Sequence, residues 1–431
     1  MKLTEKFLYH IWDAQHLLPD LKTISGNQIK ILFPGRWNTD SGPDFKDAII
    51  ELNGKVMRGD VEIELSTYNW NRHEHHENPA FNHVILQVVY HHDGQYECNF
   101  NENGEPFEIL QMEDFLNEDI SKLIKRYTEH DTKILSKTCP LLGKMTLTEF
   151  EEIVTDYGWQ RFEKKVKRFA AEHYFAGFDQ LLYQGLLEAL GYSKNKYEML
   201  QLALKIPYSE LKDFYDKGMT KDELIAIWLC SSDLIGHLPA SFPPELKTKW
   251  QELFSQQNFF SSQIDINWQL FRIRPINHPA IRLLQIAEIL YGSFGSSLFK
   301  SFLKLFSCSQ DKISSKALCK TIYQYFQTIP DFLPEKYKPG KTRLDTILIN
   351  IILPLVMVYA REKSFADLEK IIVQIYREYA GLPANFITRF MDGFLTAPQQ
   401  NIVSRKAICQ QGILKLYYDK CQYHNCEECS A

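Results

Sequence analysis

The sequence predicts an α+β protein, a mixed α/β domain at the N-terminus followed by a larger all-α domain. Two observations lead to this. Short runs rich in branched and aromatic residues, separated by Gly, Asn and Pro, crowd residues 29–110. Beyond residue 145, apolar residues recur at three- and four-residue intervals with few interruptions. Length adds a third argument, since 431 residues exceed what a single hydrophobic core usually supports.

The elements follow in order. Phe7, Leu8, Ile11, Trp12, Gln15 and Leu18 fall at helical intervals, which predicts an amphipathic helix over 4–18 capped by Thr4. Strands are expected at 29–33, 48–52, 56–65, 84–90 and 107–110. Cys139-Pro140 and Gly143 break the pattern within 137–145, which sets domains at 1–138 and 145–431. Helices are then expected in 146–234, 279–306, 311–328, 343–379 and 384–394, with Pro-rich joints at Pro239, Pro243-Pro244, Pro275 and Pro279.

Composition narrows the function classes. Apolar residues at 45% and charged residues at 24% are those of a globular protein, and no apolar run approaches the ~20 residues of a membrane span. Met1-Lys2-Leu3-Thr4-Glu5-Lys6 leads into no signal-peptide pattern, so a cytoplasmic location and no membrane partner are expected. Nine cysteines are too sparse for a disulfide scaffold. A net charge of -5 argues against coating nucleic acid through bulk charge. The basic groups Arg161, Lys164, Lys165, Lys167, Arg168 and Lys336, Lys338, Lys341, Arg343 read as solvated faces.

Candidate chemistry concentrates between Gly42 and Val89. From Arg58 to Leu65 polar and apolar residues alternate, so Asp60, Glu62 and Glu64 share one face of a strand. Side chains two apart on a strand are roughly 6.5 to 7 Å apart, a spacing at which carboxylates call for a cation or a basic partner. The hairpin signal Leu52-Asn53-Gly54-Lys55 allows two registers. A two-residue turn sets Asp47 against Asp60 and turns Asp44 away, whereas a three-residue loop with Gly54 left-handed sets Lys46 opposite Asp60 and Asp44 opposite Glu62. The second is expected, because it gathers hard oxygen ligands for Mg²⁺ or Mn²⁺ beside Lys46. Pro43-Asp44 followed by Glu62-Ile63-Glu64 resembles the PD-(D/E)xK nuclease motif, with Glu64 where that motif usually carries Lys, and Glu5 at the place of an upstream helix-borne acid. The resemblance implies a restriction-endonuclease-like N-terminal domain, a divalent metal on Asp44 and Glu62, and nucleic acid as partner.

The segment Trp70-Asn71-Arg72-His73-Glu74-His75-His76 is dense in imidazole and acid. An extended chain would point His73 and His75 to one side, and a helix would do so for His73 and His76. Either pair supplies a metal ligand or a general base near Glu62, and the HExxH spacing of zinc proteases is missing. The stretches from Gly35 to Phe45, Gly59 to Ile63, Trp70 to Pro79, His83 to Val89, Gln184 to Asn195 and Arg274 to Leu283, together with the Cys-rich end, resemble the bacterial domain-of-unknown-function 2851 family. That likeness fixes a relationship and implies no activity.

Cys409, Cys421, Cys426 and Cys429 follow a C-x11-C-x4-C-x2-C spacing, with His424 inside it. Four thiolates fit a tetrahedral Zn²⁺ or an iron-sulfur cluster, and spacing does not separate the two. The residues therefore carry three readings. In the first, a metal-dependent nuclease or phosphodiesterase uses Asp44 and Glu62 as ligands, Glu64 or His73 to orient water, Lys46 or Arg72 to steady phosphate charge, and Trp37, Trp70, Arg72, His75 and His76 to contact substrate. In the second, a degenerate nuclease-like fold binds protein or nucleic acid without catalysis. In the third, the histidines converge with Glu62 as a zinc hydrolase.

Overall fold

The computed structural model describes residues 3–94, 96–127, 139, 141–192, 194–239, 242–256, 260, 263–307 and 315–422. A mixed N-terminal sheet is followed by a larger helical region, as the sequence predicts. Two compact units emerge: Met1–Tyr174 with Ala384–Val403 and Cys409–Ala431, and Phe175–Pro383 with Ser404–Ile408.

In the first unit, α1 (Glu5–Ala14) buries Leu8, Ile11 and Trp12, and the Trp12 indole donates to the Pro34 carbonyl at 2.9 Å. It stops four residues short of the expected end because Gln15 turns left-handed at φ 55°. Thr4 sits at the N-cap without a side-chain bond. Eight strands follow: β1 (Leu21–Lys22), β2 (Gln28–Phe33), β3 (Arg36–Trp37), β4 (Phe45–Leu52), β5 (Lys55–Ser66), β6 (Val84–His91), β7 (Cys98–Phe100) and β8 (Pro106–Gln111). They order as β1-β2-β4-β5-β6-β8-β7, with β3 beside β4. The β2-β4-β5 stretch is an antiparallel meander, and β6 and β8 continue parallel to β5.

The β4-β5 hairpin corrects one expectation. Its turn has two residues, with Leu52 opposite Lys55 and both Asn53 and Gly54 at positive φ, the geometry that matches strand twist. That register holds to Ala48 opposite Gly59 and then shifts, so that Phe45 opposes Val61. The shift is a bulge at Asp47, left-handed at φ 56°. Asp47 is fixed there by its backbone N–H to Asp60 Oδ1 (3.1 Å) and by ion pairs to Arg58 (2.8 Å) and Arg36 (3.4 Å). The bulge delivers the register the three-residue loop was expected to give. Gly59 is required where β5 meets β6, since a Cβ would lie 2.4 Å from Ile85 Cγ2 and 2.6 Å from the His83 carbonyl.

One face of the sheet packs with α1 through Phe45, Ala48, Ile50, Val61, Ile63, Leu86 and Val88. After α2 (Asn69–Arg72) and α3 (Ile120–Tyr127), the long α4 (Leu147–Glu172) opens on a Thr146–Glu149 capping box and buries Phe150, Val154, Phe162, Val166 and Phe169. Its basic cluster is only partly solvated. Lys164 and Lys167 are exposed, whereas Arg161 and Lys165 both donate to Gln411 Oε1 at 3.0 and 2.9 Å, and Arg168 pairs with Glu172. The helix Ala407–Leu416 comes so close to α4 that a Cβ on Gly412 would lie 1.8 Å from the Val154 carbonyl.

The second unit is helical. Tyr192 and Arg282, from two of the segments that carry the family likeness, meet there: buried Arg282 donates to the Tyr192 hydroxyl, Asn277 Oδ1 (2.8 Å) and Gln285 Oε1 (2.6 Å). Residues Glu335–Glu362 are long and apolar enough to cross a membrane, but 78% of the apolar window is buried inside the fold, as in a core helix. The π-turn Leu348–Ile352 precedes Pro354, which has no N–H to continue the regular ladder.

Candidate metal centre

Asp44 is placed by the turn before β4. Gly42 takes φ 99°, open to Gly at little cost, and Asn38 braces the turn by accepting the Asp40 N–H at its Oδ1 at 3.0 Å and giving Nδ2–H to the Pro43 carbonyl at 3.0 Å. The Asp44 carboxylate then accepts from the Ile63 N–H at 2.9 Å, and the Asp44 N–H donates to Glu62 Oε2 at 3.1 Å. Asp44 and Glu62 are thereby locked side by side across the two strands. The Tyr9 hydroxyl, one helical turn beyond Glu5 on α1, also bonds to Asp44.

Two residues further along β5, Glu64 is 1% exposed. Gln87 on the neighbouring β6 donates to its Oε2 at 2.5 Å and is itself held by Asn99 at 2.7 Å. Glu64 Oε1 is left facing the imidazoles. His73 Nδ1 lies 3.0 Å from it and His75 Nε2 3.7 Å, while His75 Nε2 is 3.3 Å from Glu62 Oε1. Ligand atoms of Glu64, His73 and His75 all lie within 4.8 Å of one another.

The backbone between the histidines explains the convergence. His73 caps α2, Glu74 is left-handed at φ 58°, and His75 opens a short 3-10 turn. One residue of left-handed chain brings the two rings to 5.5 Å. This is neither the extended nor the helical geometry expected from the sequence, though the pair it selects is His73 and His75. His76 instead pairs with Glu77 at 3.3 Å.

Burial governs the charge states. It pushes Asp44 up to about 7, Glu62 to about 8 and Glu64 to about 9, with the neighbouring acids, including Glu5, adding to the effect. Asp60 is raised by burial too, against the opposing pull of Lys46, whose Nζ is 2.9 Å away. Burial lowers His73 and His75, which favours the neutral imidazole, the form that ligates metals. Buried Glu62 and Glu64 and half-buried Asp44, beside two imidazoles, form a donor set that suits a divalent cation.

The other expected residues fall into place as follows. Trp70, expected to touch substrate, is instead fully buried, donates its indole N–H to the Phe100 carbonyl at 3.1 Å and packs edge-on against His75 at 5.4 Å, so it shapes the centre from beneath. Trp37 is half-buried against Tyr9, His10 and Phe45. Arg72 is exposed, 3.2 Å from His73 Nε2. Cys409 is buried with its Sγ 3.8 Å from Thr155 Oγ1, and Cys421 is half-buried in a π-turn. Cys426, Cys429 and His424 lie outside the described residues. Sequence reasoning missed Tyr9 and Gln87. Tyr9 shares a helix face with Glu5, and Gln87 is the one polar side chain within the apolar run 84–89; both signals were available.

A family described as "Protein of unknown function (DUF2851)" has a model that matches residues 5–381, a range that ends before Cys409. No curated protein and no solved structure matches the chain.

Proposed function

The chain belongs to the DUF2851 family, and from its carboxylate centre we propose a divalent-metal-dependent phosphodiesterase or nuclease that acts on nucleic acid. The observation that carries this is the pairing of Asp44, just before β4, with Glu62 on β5 and Glu64 one strand repeat away, Asp44 half-buried and both glutamates buried. Asp44 and Glu62 would hold Mg²⁺ or Mn²⁺. A bound dication lowers the pKa of a ligated water and offsets charge on a phosphate. The protein's own groups do the rest. With a dication on Asp44 and Glu62 alone, Glu64, oriented by Gln87, or His73 accepts the proton of the attacking water, and Lys46, now paired with Asp60, or exposed Arg72 steadies the phosphate oxygens.

The test is cleavage of single- and double-stranded DNA and RNA by the full chain, stripped with chelator and restored with Mg²⁺ or Mn²⁺. Metal-dependent cleavage in wild type, lost in Asp44→Asn and in Glu62→Gln, is the expected result. Equal cleavage by wild type and both variants sinks the assignment. A second reading, binding without catalysis, is favoured by Glu64 standing where the resembled motif usually has Lys. Metal binding with retention of nucleic acid and no cleavage would select it. Zinc or an iron-sulfur cluster at the four C-terminal cysteines remains a separate proposal, checked by metal analysis of the purified protein.

A further inference from the structure

We infer that Glu64, His73 and His75 form a second cation position, selective for a nitrogen-preferring transition ion such as Zn²⁺ or Co²⁺ and sharing Glu62 with the position at Asp44. The shared role of Glu62 rests on the proposed cation at Asp44; the histidine-bearing position stands without it.

Three features of geometry lead here. Glu64 has one oxygen committed to Gln87 and the other aimed at both imidazoles, so its free lone pairs point at a single place. The two imidazoles are brought to that place by a left-handed Glu74, a conformation that costs about 1 kcal/mol for a side-chain-bearing residue and persists only where surrounding structure enforces it. His75 is further fixed by stacking on Phe81 at 4.0 Å between centroids and by the edge of Trp70. Second, Glu62 faces both ways: Oε2 receives the Asp44 N–H, and Oε1 lies 3.3 Å from His75 Nε2. A carboxylate with one oxygen toward each group is how a bridging ligand is placed. Third, two imidazoles and one carboxylate favour zinc-like ions over Mg²⁺, which takes oxygen donors and keeps its waters.

Binding also has a definite consequence for His73. With Arg72 donating to Nε2, the ring carries its proton on Nδ1 and gives it to Glu64. A cation at Nδ1 needs that lone pair, so the proton moves to Nε2 and Arg72 must release the ring.

The experiment is a Co²⁺ titration of chelator-stripped full chain, followed by visible ligand-field absorption and by metal content. Wild type is expected to show absorption bands of nitrogen-ligated Co²⁺, displaced by Zn²⁺. His73→Ala, at a largely exposed side chain, and the more conservative His75→Gln are expected to weaken Co²⁺ binding by at least ~10-fold and to shift or abolish the bands. Thermal melts establish that each variant is folded. Bands and affinity unchanged in both folded histidine variants overturn the inference. Asp44→Asn is expected to keep the bands. Loss of cleavage in Asp44→Asn, or no cleavage in wild type, bears on the nuclease reading alone, so failure of one proposal is distinguishable from failure of the other.

Discussion

At the scale of single residues, the centre is held in a state that disfavours its own charges. Asp44, Glu62 and Glu64 have folded pKa values above those of an unfolded chain, about 4, so the fold prefers their protonated forms. The sign follows directly: the stability they contribute is complete below about pH 4 and is lost as pH climbs through about 7 to 9. The melting temperature of chelated protein is therefore expected to fall between pH 6 and 9, and Mn²⁺ to flatten that slope. Melts at a series of pH values, with and without metal, check this; a flat profile in chelator contradicts it. For the same reason Glu62→Gln should raise the melting temperature of metal-free protein at pH 8, by roughly 2–4 °C for each kcal/mol of repulsion and desolvation removed, while it weakens Mn²⁺ binding. Trp70 supports the centre by its volume, its indole bond to the Phe100 carbonyl and its edge against His75. Trp70→Ala should cost about 3–5 kcal/mol in denaturant unfolding and loosen His75 with it.

At the scale of elements, two left-handed residues do most of the positioning, Asp47 in β4 and Glu74 between the histidines. Glu74→Gly should preserve Co²⁺ binding, because Gly takes positive φ freely, whereas Glu74→Val should weaken it by forcing the two rings apart; paired titrations decide. These two residues also mark the boundary of what the sequence discloses. The strands at 29–33, 48–52, 56–65, 84–90 and 107–110 were legible because branched and aromatic runs between turn residues have few other ways to fold. The acids on one face of β5 were legible from strict alternation. Asp47 was not, since Asp is tolerated at positive φ without being a signal for it, and a bulge is chosen by the pairing of both strands together. The pairing of His73 with His75 was open for a related reason, as its geometry depends on a single dihedral at Glu74. Edge strands of two or three residues, such as β1, β3 and β7, carry too little pattern to be seen.

At the scale of the whole molecule, the chain leaves the first unit at Tyr174 and supplies its remaining parts from Ala384 onward. No local pattern announces such a return, because helical periodicity states which face is buried and not against what. The late segments are well anchored. Gln399 donates to the Leu142 carbonyl at 2.7 Å, the Phe394 carbonyl accepts the Cys139 N–H at 3.1 Å, and Gly412 touches α4. Gly412→Ala should destabilise by about 1–3 kcal/mol through that contact, read as a lowered melting temperature. The return of the chain also sets a timetable for synthesis. The strands that carry the acid cluster are made before the helices that complete their unit, so the nascent sheet must wait through more than two hundred intervening residues before its fold can close. Within this unit the usual order, in which the earlier part matures on its own, does not hold, and a ribosome that stalls in the intervening residues would release a chain whose acid-bearing strands lack the segments that complete their unit.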